Sequence, residues 1–96
     1  MFLVILTYEK GLDVVDALLA EHVRFLDAHY ASGEFLLSGR QEPRRGGVIL
    51  ARCTSREALL AILAEDPFWR EGAARYDVIE FIPSKSQPEL AVLTQP

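Results

Sequence analysis

The strongest constraint on this chain is a short run near its start. Residues 2–8, FLVILTY, are β-branched, apolar and aromatic, and too few to make a core helix, so they predict a strand. Phe2, Val4 and Leu6 point to one side of it, and Leu3 and Ile5 to the other. A strand that is apolar on both sides belongs in the middle of a sheet. GGVILARC, residues 46–53, repeats the pattern with Val48 and Leu50 against Ile49 and Ala51, so the sheet has two such strands at its centre.

The intervening segments supply the rest of the order. Asp13 is placed to cap a long helix whose inward stripe is Val15, Leu18, Leu19, His22, Phe25 and Leu26 and which Gly33 ends. EFLLSGRQ, residues 34–41, predicts a second strand, joined to the third through the turn QEPRR. Thr54 with Glu57 has the spacing of a capping box and opens a second helix, TSREALLAILAE, with Leu59, Ile62 and Leu63 inward. Pro67 stops that helix, and Asp66-Pro67 reads as the N-cap and first residue of a short turn, PFWREG. RYDVIEFI, residues 75–82, is the fourth strand.

The order βαββαβ predicts an α+β, ferredoxin-like plait: an antiparallel four-stranded sheet with two helices on one face, because right-handed crossovers put both on the same side. The other face is then uncovered, at about 1.5–3 kcal/mol of forgone burial for each large apolar side chain. Such surface predicts a homodimer packed sheet on sheet, a dimeric α+β barrel. Residues 1–82 form the expected domain, and 83–96 a tail in which ELAVLT offers an extra strand or a dimer-crossing segment.

At 96 residues the chain makes one domain, and its net charge of −4 with no basic stripe argues against nucleic acid as a partner. No run approaches the ~20 apolar residues of a membrane span, and MFLVILTYEK lacks a basic leader, so neither membrane nor signal peptide is expected. A single cysteine, Cys53, fits a cytoplasmic setting and reads as a buried, inert thiol.

Two residues stand out chemically. His22 lies among Leu18, Leu19 and Leu26 on the apolar stripe, where a ring is either a core histidine satisfied by a neighbour or a working group. Asp66 is either an ordinary N-cap or, at the exit of the second helix, a carboxylate able to take a proton bond from His22 and leave the other ring nitrogen as a base. His29 lies about two turns further on, too far to share a zinc ion, and suits a helix C-terminus. Ser38 beside Gly39 makes room for a ligand, without the elbow of a hydrolase nucleophile. Arg40, Arg44 and Arg45 attract an anion or are solvated turn charges, while Phe68 and Trp69 wall a hollow or anchor their turn.

An opening strand, then EHVRFL in a helix, SGEFLLSG, and EDPFWREG before the last strand: in this order the chain resembles the YciI-like, or YCII-related, family over residues 1–82. The resemblance implies a catalytic dyad at His22 and Asp66 in a cleft of a ferredoxin-like dimer, lined by Ser38 and Gly39. Many relatives carry a basic residue shortly before the histidine and a proline after the glycine, where this chain has Leu19 and Arg40, so substrate charge would be met by Arg40 or Arg24. The expectation is a small enzyme without cofactor or metal, performing a lyase, isomerase or hydrolytic step on a small polar or anionic molecule, with Phe68 and Arg40 among its binding residues. The alternative is a dimeric module that binds a metabolite or partner without turnover.

Overall fold

The computed structural model describes residues 1–94. Its elements are β1 (Phe2–Tyr8), α1 (Leu12–Ala31), β2 (Phe35–Arg40), β3 (Gly46–Ala51), α2 (Arg56–Leu63), α3 (Pro67–Arg70) and β4 (Ala74–Glu80). The strands form one antiparallel sheet in the order β2-β3-β1-β4, so the two runs that are apolar on both sides do occupy its centre.

The helices lie over one face. Phe2, Val4 and Leu6 of β1, with Ile49 and Ala51 of β3, point toward them and are fully buried against Val15 and Phe25 of α1, Leu59 and Leu63 of α2, and Phe68 of α3. Each of the larger of these side chains contributes about 1.5–3 kcal/mol on burial, and together they form the fold's hydrophobic core. Leu3, Ile5, Val48 and Leu50, on the opposite face, are half-buried, and Leu37 and Ile79 near the edges are exposed.

The expected α+β barrel is overturned. The sheet is open, ending in the edges β2 and β4, which do not pair with each other. Strand twist spreads the edges of an open sheet apart, and closing only four strands would leave no interior for their side chains. The fold is an open ferredoxin-like plait.

Local signals differ in smaller ways. The N-cap of α1 is Gly11, without a side-chain cap, and Asp13 lies within the first turn. The cap of α2 is Ser55, not Thr54; its Oγ accepts the Ala58 N–H at 3.1 Å, so the helix begins one residue later than a Thr54–Glu57 box requires. Leu19 is exposed rather than inward, on the rim of the α1 stripe. Where ELAVLT offered a strand, Pro88–Thr94 winds into a 3-10 helix, and the last two residues of the tail, 95 and 96, lie outside the described residues.

Two backbone features shape the space under α1. A register shift between Phe35 and Leu37 inserts one extra residue into β2. Phe35 and Ser38, three apart, would face opposite sides of a regular strand; the bulge brings both to the helix side and turns Leu37 outward. At the start of β3, any Cβ on Gly46 would collide with the carbonyl oxygen of Leu6, so only glycine permits this approach to β1.

Candidate active site

Asp66 enters the site as a consequence of Pro67. The proline, barred from continuing α2, starts α3 instead, and Asp66 before it takes an extended conformation and caps the new turn: its Oδ1 accepts the Phe68 N–H at 3.0 Å. Capping turns the carboxylate inward, where it is wholly buried. His22, 44 residues earlier on α1, meets it there, with Nδ1 2.9 Å from Oδ1. Tyr76 of β4 donates its hydroxyl to Oδ2 at 2.5 Å. The Phe68 N–H and the Tyr76 hydroxyl both donate to Asp66, which takes the acceptor-only role of an ionised carboxylate.

That role assigns the imidazole. Nδ1 carries a proton and donates it to Asp66, so in the neutral ring Nε2 holds the lone pair. Among the described residues Nε2 has no hydrogen-bond partner. The ring is stacked on Phe68, with centroids 4.1 Å apart and planes 12° from parallel, and Phe68 is in turn set edge-on to Tyr8. Stacking and hydrogen bond together leave the imidazole little rotational freedom.

His22 lines a cleft of about 190 Å³ between α1 and the sheet. Leu19, Val23 and Leu26 of α1 form its outer wall, and Phe68 its end. The inner wall comes from Leu6 and Tyr8 of β1, Ser38, Gly39 and Arg40 of β2, and the start of β3, where Gly46 and Gly47 present backbone alone. Asp66 stands behind His22 and does not line the cleft. Ser38 Oγ is 2.6 Å from the hydroxyl of Tyr30 on α1, which fixes its position. The residues singled out in the sequence thus gather as follows: His22 with Asp66 in direct contact, Phe68 beneath the ring, and Ser38, Gly39 and Arg40 across the space.

Others fall elsewhere. Arg44 binds Asp16 of α1, which, with Tyr8, raises its already high pKa; Arg24 and Arg45 are exposed and do not line the cleft. Trp69 is partly exposed and packs on Tyr76, 5.0 Å between centroids, outside it. Cys53 is half-buried rather than buried, and burial, then the charge of Glu34, push its thiol pKa up. His29 is tied at both nitrogens, Nδ1 to Glu34 at 2.8 Å and Nε2 to Glu65 at 2.9 Å. Among the described residues no three His, Cys, Asp or Glu side chains form a metal site. Sequence reasoning missed Tyr76 and Tyr30; the alternation of β4, which sets Tyr76 on the same side as Val78, was the one available signal.

An open ferredoxin-like plait with a buried His–Asp pair beside a cleft defines a class: small α+β proteins that place an imidazole between helix and sheet. Within that class the chain belongs to the YCII-related domain family, whose model matches residues 1–82. No curated protein matches it in sequence. Among solved structures it is similar to 5-chloro-2-hydroxyhydroquinone dehydrochlorinase (TftG) from Burkholderia phenoliruptrix AC1100, in complex with 2,5-dihydroxybenzoquinone. The TM-score is 0.71 at 17% identity, over 84% of this chain and 93% of that one, a likeness of fold.

Proposed function

We propose that this protein is a cofactor-independent acid/base enzyme in which His22 transfers a proton through Nε2 and Asp66 orients and compensates the ring. The observation that carries this reading is the 2.9 Å contact of Nδ1 with a fully buried carboxylate, which leaves the second nitrogen of a cleft-lining histidine unbonded among the described residues. Nε2 takes a proton from an acidic C–H or O–H of the substrate, the resulting imidazolium is stabilised by Asp66, and the proton returns to a leaving group or to another atom of the product. Ser38 and Arg40 face the charge that develops, Gly39 leaves space for it, and Phe68 supports the ring.

The cleft limits the substrate to a small molecule. A cavity near 150 Å³ accommodates benzene, so about 190 Å³ suits one substituted ring or a short acid. Mostly apolar walls with Tyr8, Ser38 and Arg40 as the polar groups favour a flat, hydroxylated or anionic compound and a lyase, isomerase or hydrolytic step. The structural likeness to a dehydrochlorinase that binds a dihydroxybenzoquinone supports the same class.

The apolar open face supports a homodimer in which two open sheets associate, testable by sedimentation. No helix among the described residues is long and apolar enough to cross a membrane, and the single Cys53 accords with a cytoplasmic setting. Membrane and nucleic acid have no place in the proposal.

The test is a panel of hydroxylated quinones, chlorinated hydroquinones, lactones and enolisable acids, followed by absorbance and by deuterium exchange. Turnover by the wild type, lost in His22→Gln and Asp66→Asn with the fold intact, is the expected result. Tight binding without turnover that survives Asp66→Asn would overturn the enzyme in favour of a metabolite-binding module.

A further inference from the structure

Asp66 has a third partner that neither capping nor the pairing with His22 requires. Tyr76 lies opposite Leu6 in the β1–β4 register, on the helix side of the sheet, and its hydroxyl reaches Oδ2 beneath α3. Oδ1 already takes the Phe68 N–H and His22. With both oxygens engaged from three different elements, and no solvent contact to replace a lost donor, the carboxylate cannot turn without giving up hydrogen bonds.

The bond also discriminates between the two states of the histidine. A hydroxyl bonds more strongly to a bare carboxylate than to one whose charge is shared with an imidazolium. Tyr76 therefore stabilises the site most when His22 is uncharged. Building on the His22–Asp66 reading above, we infer that Tyr76 is a positioning residue of this site: its hydroxyl pins Asp66 Oδ2, aims Oδ1 at His22 Nδ1, and keeps the imidazole a neutral base with Nε2 toward the cleft.

Tyr76 itself stays a donor. Burial first, then the charge and hydrogen bond of Asp66, push its phenol far above the ordinary range. The other titratable or charged groups around His22 are Tyr8 of β1 and Arg40 of β2 across the cleft, with the Glu21–Arg70 pair of α1 and α3 at the surface; β3 brings only Gly46, Gly47, Val48 and Ile49. A change confined to the Tyr76 hydroxyl alters none of them.

The experiment is Tyr76→Phe, which keeps the ring against Trp69 and removes one oxygen, read by NMR of the His22 ring in the ligand-free protein. The expected result is a His22 titration midpoint about 0.5 pH unit higher than in the wild type, with the acid limb of the pH–rate profile displaced by the same amount. 3-Fluorotyrosine at position 76, a stronger donor, moves the midpoint the opposite way and serves equally if Tyr76→Phe does not fold. A midpoint unchanged or lowered in Tyr76→Phe, or unchanged with the fluorinated ring, overturns the inference. The same spectra separate it from its premise: a wild type in which Nδ1 carries no proton at neutral pH refutes the pairing itself, whereas a protonated Nδ1 with a midpoint indifferent to Tyr76 refutes only the role of the tyrosine.

Discussion

His22 and His29 share one helix and lie seven residues apart, yet their surroundings make opposite use of the same ring. At His22 a single buried carboxylate takes one nitrogen and leaves the other beside a cleft. At His29 two carboxylates take both nitrogens, joining the end of α1 to Glu34 before β2 and to Glu65 after α2. Burial presses the pKa of His29 down, but the two hydrogen bonds and the charges of Glu34 and Glu65 outweigh it and leave the value raised. Such a ring is a tie between elements with no lone pair to offer a substrate. What separates the two rings is therefore the number of carboxylates within reach, not the depth at which each sits.

The sharpest way to break this comparison is kinetic. His22→Gln is expected to lower turnover by about 10²–10⁴-fold, the usual worth of a general base, while His29→Gln leaves kcat/KM unchanged. Comparable losses at the two positions would erase the distinction. Next in size is stability. Asp66→Ala strips the cap of α3 and leaves Tyr76 and the Phe68 N–H unpaired, at a cost of about 3 kcal/mol in urea unfolding. Glu34→Gln, at the solvent-facing tie, is expected to cost far less.

A smaller effect sharpens the comparison through pH. Because the folded-state pKa of His29 is raised, its contribution to stability is complete below its ordinary value of 6.5 and is lost as pH rises through the raised one. Glu34, lowered by its bond to His29 and next by Ser32, contributes above its ordinary 4.5 and loses that contribution as pH falls through the lowered value. The stability difference between wild type and His29→Gln should thus be greatest between about pH 4.5 and 6.5 and vanish on the alkaline side. Smallest of all is Tyr30→Phe, which frees the Ser38 hydroxyl: unfolding shifts by no more than about 0.5 kcal/mol, and any change appears in KM rather than kcat.

Much of this arrangement is legible along the chain, and the reasons are local. Asp66-Pro67 announces its own cap, Gly33 with its positive φ closes α1, and the doubly apolar runs declare themselves central strands. The contact between His22 and Asp66 is not local, since the two lie 44 positions apart; the place of Asp66 at the exit of the second helix only suggests it, and the family resemblance strengthens it. The place of Ser38 depends on a one-residue bulge that no alternation rule reveals, because strand parity alone turns it away from Phe35. Tyr76 was hidden for another reason: a tyrosine in a strand suits the core by its ring, and only the partner in space tells what its hydroxyl does. The barrel does not follow from the apolar surface, because exposed side chains tell that a face is uncovered and not how the edges run.

Gly46 carries a last consequence. Its approach to the Leu6 carbonyl leaves that stretch of the inner wall as backbone alone, and no side chain can be added at this position without displacing β1. Retuning of what the hollow accepts therefore falls to lining positions with open surface, Leu19 and Val23 on the helix and Arg40 on β2. An engineer wishing to change the molecule it welcomes has three handles, none of them in the core.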